Sequence, residues 1–208
     1  MIDFEKLDKN KTYLGLQYGT SLIAKQIKRF SKDYAPDSKE IPTHVLAFVY
    51  RLGEWWIYES HADANKDLGV PSGVRRYKLS TWLQIEKNTQ NQFKAVPFDI
   101  DFKELENHIG MPYGVGDIRN LLKAAIFHNN GKQKDRKGLI CSEYLALCAP
   151  YVAEFYNLPA YCITPAHFQD YIEKHPCECE IEFKPECTCK RGRRKKGKTE
   201  IMEAPKSE

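Results

Sequence analysis

Three side chains in a chain of 208 residues have the types that nucleophilic acyl chemistry needs: His44, Glu59 and Cys141. A cysteine attacks as its thiolate, so it requires an adjacent imidazole to take its proton. The imidazole requires a polar group on its other nitrogen, which fixes the tautomer and stabilises the imidazolium. Glu59 suits that third role. The run Cys141-Ser142-Glu143-Tyr144-Leu145 reads as the start of a helix. Unpaired N–H groups and the positive end of the helix dipole favour a thiolate there, and a histidine beside it brings a thiol pKa to about 3.5–7.5. The backbone N–H of Cys141 is also a candidate for half of an oxyanion hole.

The chain holds seven cysteines. Cys148 and Cys162 sit in apolar sequence and are expected to be core thiols. Cys177, Cys179, Cys187 and Cys189 form two Cys-x-Cys pairs with seven residues between them and His175 close by. Four thiolates suit tetrahedral zinc, and a hairpin through the intervening segment would bring the pairs together. This spacing departs from the common Cys-x2-Cys pattern. An odd number of cysteines without a leader argues against a disulfide framework.

The elements that must position the triad are short. A strand is expected over 12–18, and an amphipathic helix over 21–31 places Ile23, Ile27 and Phe30 on one side. The apolar run 43–50, the turn Leu52-Gly53 and the run 55–60 read as a hairpin. In that register Arg51 pairs with Glu54, and His44 lies opposite His61. His44 and Glu59 then become diagonal neighbours about 7–8 Å apart on one face. Further strands are expected over 74–78 and 93–97, with a short helical turn over 80–83. Helices are expected over 102–109, over 118–128 behind Asp117, and from Cys141 onward.

Hydrophobic residues make up 42% and charged residues 29%, which excludes wholesale disorder and fits one α+β domain over 1–174 with an appended tail over 175–208. The formal charge is +4. Its source is one block, Lys190, Arg191, Arg193, Arg194, Lys195, Lys196 and Lys198, so the body carries no general nucleic-acid signature. The block itself could contact nucleic acid or another anionic polymer. No apolar run is long enough to span a bilayer, so no transmembrane segment is expected. The first five residues carry two acids and no apolar stretch, so no signal peptide is expected and the cytoplasm is the expected location.

The order of these segments is informative. It runs from Thr20-Ser21-Leu22-Ile23 to Thr43-His44-Val45, then Ile57-Tyr58-Glu59, Pro112-Tyr113-Gly114, Leu139-Ile140-Cys141-Ser142-Glu143 and Ile163-Thr164-Pro165-Ala166-His167. This resembles the circularly permuted papain-like hydrolases of the NlpC superfamily, in the branch of YiiX- and YaeF-like amidases, with lecithin–retinol acyltransferase-like enzymes as cousins. The resemblance covers about residues 12–172. It implies an antiparallel sheet packed against a few helices, with Cys141 as nucleophile, His44 as general base and Glu59 as the third polar residue. Thr43 stands where the family usually has serine. Tyr18 and Gln17 are candidates for a second oxyanion donor, and Tyr113 is expected to line the cleft or pack.

The implied activity is cleavage or transfer at an amide, such as a cell-wall peptide, or at an acyl ester or thioester, through an acyl-cysteine. No cofactor is implied for that chemistry. The alternative is a non-catalytic binding module of the same fold that works through its basic, cysteine-rich tail. The tail is either a zinc site or an unstructured, redox-labile segment, and zinc in the intact protein that is lost on removal of residues 175–208 would assign the first. Intact protein without zinc would eliminate that site.

Overall fold

The computed structural model describes residues 2–20, 22–31, 40–114 and 138–176. The elements, in order, are β1 (Thr12–Tyr18), α1 (Leu22–Ser31), β2 (His44–Arg51), β3 (Glu54–His61), β4 (Gly73–Lys78) and α2 (Leu79–Glu86). They continue with β5 (Gln92–Pro97), α3 (Phe102–Asn107), α4 (Cys141–Cys148), α5 (Pro150–Phe155) and α6 (Pro165–Lys174). The expected helix over 118–128, the four tail cysteines and the basic block lie outside the described residues.

The strands form one antiparallel sheet in the order β4-β3-β2-β1-β5. The β2–β3 hairpin has the register its turn dictates, from Arg51↔Glu54 to Ala47↔Tyr58. Leu52 and Gly53 both take positive φ, 52° and 84°, the turn geometry whose twist matches that of the flanking strands. Leucine there costs about 1–2 kcal/mol relative to a right-handed conformation.

β2 is the central strand, which explains its unbroken apolar sequence: both faces of the sheet are covered. On one face Leu14, Leu16, Val45, Ala47 and Tyr58 pack with Tyr144 and Leu145 of α4 and Phe168 of α6. On the other face Tyr13, Leu46, Phe48, Trp55 and Ile57 pack with Trp82 of α2 and with Ile2, Phe4 and Leu7. The described residues thus have an α+β architecture. Among them no helix is long and apolar enough to cross a membrane.

Three sequence expectations need correction. The turn over 80–83 is a full helix, α2, because Trp82 buries its ring against Phe93, Phe48 and Phe4. α3 stops at Asn107 rather than 109, because the chain turns through Gly110, at φ +90°, to donate its N–H to Val74 of β4. Cys148 is buried at the last residue of α4, whereas Cys162 is only half-buried, in a single 3-10 turn over Ala160–Cys162, and is no core thiol. His175, just past α6, stacks on Tyr171 with ring centroids 4.2 Å apart and so belongs to the packed body.

Gly73 determines how the segment ahead of Tyr113 lies on β4. Its φ is +96°, and a Cβ there would run into the Met111 carbonyl and lie 3.2 Å from Pro112 Cα. Next to it, Val74 N–H donates to the Met111 carbonyl at 2.8 Å. Gly73→Ala is expected to destabilise the protein by about 1–3 kcal/mol. The measurement is a lower urea midpoint at unchanged slope, and an unchanged midpoint would contradict this account of the turn.

Candidate active site

His44 is the first residue of β2, Glu59 lies near the end of β3, and Cys141 is the first residue of α4. They meet where β2 and β3 part. The β2–β3 ladder ends at Ala47↔Tyr58, while β3 goes on pairing with β4 as far as His61↔Gly73. The start of α4 is held at this open end. Ser60 Oγ donates to the Leu139 carbonyl at 2.6 Å, and Ser142 Oγ donates to the Ile163 carbonyl at 2.6 Å, so the cysteine is pinned on both sides. No side chain caps the helix, and the N–H groups of Val45 and Ser142 point at the Cys141 sulfur.

The three side chains form a buried relay: Cys141 is 7% exposed, His44 8% and Glu59 4%. His44 Nε2 and Glu59 Oε2 are 2.7 Å apart. Since Nε2 is taken, Nδ1 is the nitrogen left for the hydrogen bond between the His44 ring and the thiol. His61, opposite His44, sets its ring edge-to-face on the His44 ring at 5.3 Å and uses Nδ1 to accept the Asp63 N–H at 3.0 Å. The sequence register put His61 directly opposite His44 and Glu59 on the diagonal. Glu59 is the one that reaches its nitrogen.

Burial works against every charge here, and the neighbours outweigh it. For Cys141, burial raises the thiol pKa, but the His44 charge, the His44 hydrogen bond and the two backbone N–H groups bring it below the ordinary value. For His44, burial disfavours the protonated ring, and the Cys141 thiolate followed by Glu59 lifts it to about 10. For Glu59, burial favours the neutral acid, and the His44 bond and charge, then Arg75, hold the carboxyl well below the usual range. Both shifts favour a thiolate beside a protonated imidazole. Cys148 shows the opposite case: burial and the acids Glu104 and Asp101 push its thiol up, so it stays protonated.

The remaining candidates separate cleanly. Thr43 Oγ1 accepts the Gly19 N–H at 3.0 Å and donates to the Gln17 carbonyl at 3.2 Å, tying the end of β1 beside His44. Gln17 is the direct cross-strand partner of His44, so the two side chains share a face. The Tyr18 hydroxyl is committed to Gln169 Oε1 at 2.8 Å. Tyr113 pairs through its backbone with Leu139, and burial together with the Cys141 charge raises its pKa. Among the described residues no group of three or more His, Cys, Asp or Glu side chains is arranged to hold a metal ion.

Sequence reasoning missed Arg75 and Tyr77. Both lie on the buried face of β4, Arg75 directly across from Glu59, and both bond its Oε1. A signal existed in the alternation of buried Arg75 and Tyr77 with exposed Arg76 and Lys78, but it carries meaning only once the β3–β4 register is known.

No protein-family model matches the chain, and no curated protein matches it in sequence.

Because the Glu59 pKa in the folded protein is below its ordinary 4.5, its stabilising contribution is complete above that value and is lost as pH falls through the folded value. Glu59→Gln removes one partner of a buried charge set and is expected to cost about 3–5 kcal/mol near neutral pH. Urea titrations of both proteins from neutral to acid pH check this. The difference should shrink as the wild type acidifies, and a difference that is constant with pH would contradict the assignment.

Proposed function

We propose that the protein is a cysteine-nucleophile hydrolase of the circularly permuted papain-like type, acting on an amide or on an acyl ester or thioester. The observation that carries this is the relay of Cys141, His44 and Glu59, in which a thiol at a helix start is lowered while Cys148, on the same helix, is raised.

In this reading the Cys141 thiolate attacks the carbonyl carbon of the substrate. The carbonyl oxygen becomes an oxyanion, held by the Cys141 N–H with Gln17, which shares a face with His44, as the second donor. The His44 imidazolium gives its proton to the leaving group as the scissile bond breaks, which leaves an acyl-cysteine and a neutral ring. That ring then takes a proton from water as the water attacks the acyl-cysteine. The acid departs, and the thiolate–imidazolium pair is restored. A second nucleophile in place of water turns the same sequence into acyl transfer. Glu59 keeps its hydrogen bond to Nε2 throughout, holding the ring in one orientation through both proton transfers. Cytoplasmic action and contact of the basic block with an anionic polymer belong to the same proposal.

The test needs no known substrate to begin. At neutral pH iodoacetamide is expected to label Cys141 at least about tenfold faster than Cys148, and His44→Ala should slow that labelling by about tenfold or more, the equivalent of one pKa unit. On a panel of amide, ester and thioester substrates, Cys141→Ala is expected to lose turnover. Full turnover by that variant on every substrate the wild type cleaves would overturn the proposal.

A further inference from the structure

Beside the relay lies a buried charge that takes no part in the chemistry. Arg75 is 5% exposed, one strand beyond Glu59 and directly across from it. Its Nε and Nη2 both donate to Glu59 Oε1, at 3.0 and 2.6 Å, and the Tyr77 hydroxyl donates to the same oxygen. Arg75 is itself anchored, because Nη1 donates to the carbonyls of Asp63 at 2.5 Å and Pro71 at 2.7 Å. The two carboxylate oxygens therefore have different duties. Oε1 takes three donors from β4, while Oε2 is left to His44 alone.

We infer that Arg75 and Tyr77 are positioning residues that clamp Glu59, keeping it ionised and keeping Oε2 on the His44 ring as the surroundings become acidic. This rests on Cys141, His44 and Glu59 being the reacting unit.

The physical case is one of uncompensated burial. A carboxylate deprived of water can have its pKa raised by several units, up to about 3–5. The titratable and charged groups around Glu59 are His44 from β2, His61 and Asp63 at the end of β3, Arg75 and Tyr77 from β4, Cys141 from α4, and Tyr113. Of these, Arg75 sets a guanidinium against Oε1 with two donated hydrogen bonds. The His44 charge itself depends on Cys141 and on Glu59, so it gives no independent hold on the carboxylate. Without the clamp Glu59 takes up a proton at a higher pH, the imidazolium loses its carboxylate partner, and the Cys141 thiol regains its proton at a higher pH.

The experiment is the pH dependence of iodoacetamide labelling at Cys141 in the full chain, read by peptide mass mapping, for the wild type, Arg75→Met, Tyr77→Phe and Arg75→Lys. In Arg75→Met the acid limb is expected to move up by at least about one pH unit. Labelling near pH 5.5 would then be about tenfold slower than in the wild type, while the rate near pH 8 stays within about threefold. Tyr77→Phe should move the limb the same way by a smaller step, and Arg75→Lys, which keeps the charge, should recover most of the shift. A profile superimposable on the wild type, or a loss equal at every pH, overturns the inference. If Arg75→Met does not fold, Tyr77→Phe and Arg75→Lys decide: wild-type profiles in both overturn it. Failure of the underlying functional reading would look different, since wild-type Cys141 would then label no faster than Cys148 and show no acid-shifted limb.

Discussion

A carboxylate buried as deeply as Glu59 loses hydration worth several kcal/mol unless fixed charges and donors replace the water, and this end of the sheet is arranged to replace it. Arg75, Tyr77 and His44 supply the donors, and the order Arg75, Glu59, His44, Cys141 alternates groups that favour positive and negative charge in one another. Each group sits on a different element, β4, β3, β2 and α4. The adjacency of those three strands and the docking of α4 at their open end are therefore conditions for ionising the site at all. A single misplaced strand would leave an unpaired charge in the core.

The environment gives these pairs their strength. A second cluster of the same residue types lies between α3 and the sheet, where Arg51, Arg76 and Tyr58 converge on Glu106. Glu106 and its arginines are part-exposed, so water screens their attraction and the cluster serves mainly to orient α3. The Glu59 set is dry, with apolar packing on both faces of β2, and the same chemistry there shifts proton equilibria. The two cysteines of α4 make the same point over one helix. Cys141 at its first residue meets N–H groups and an imidazolium, whereas Cys148 at its last meets apolar walls and carboxylates.

The strands were largely legible in the sequence. β1 to β5 all fall within about a residue of their expected bounds, because period-two alternation, a two-residue turn with glycine and flanking prolines are local signals. The helices were less so. α2 owes its length to Trp82 burying against aromatic residues far away in the chain, and α3 owes its early end to the pull of β4 on Gly110. Cys162 looked buried from its apolar neighbours, yet the 3-10 turn leaves it half-exposed.

For the candidate site, residue type and order were enough to select His44, Glu59 and Cys141, since a thiol at a helix start and a hairpin of known turn length are both short-range facts. Tertiary structure decided the rest. It brought Glu59 from a diagonal position to 2.7 Å from Nε2, engaged the Tyr18 hydroxyl with Gln169, and brought Arg75 and Tyr77 onto the second carboxylate oxygen. Those outcomes depend on how strands far apart in sequence pair and splay. Local propensity carries no record of that, because the energy that decides it is the cost of leaving a buried charge without a counterpart.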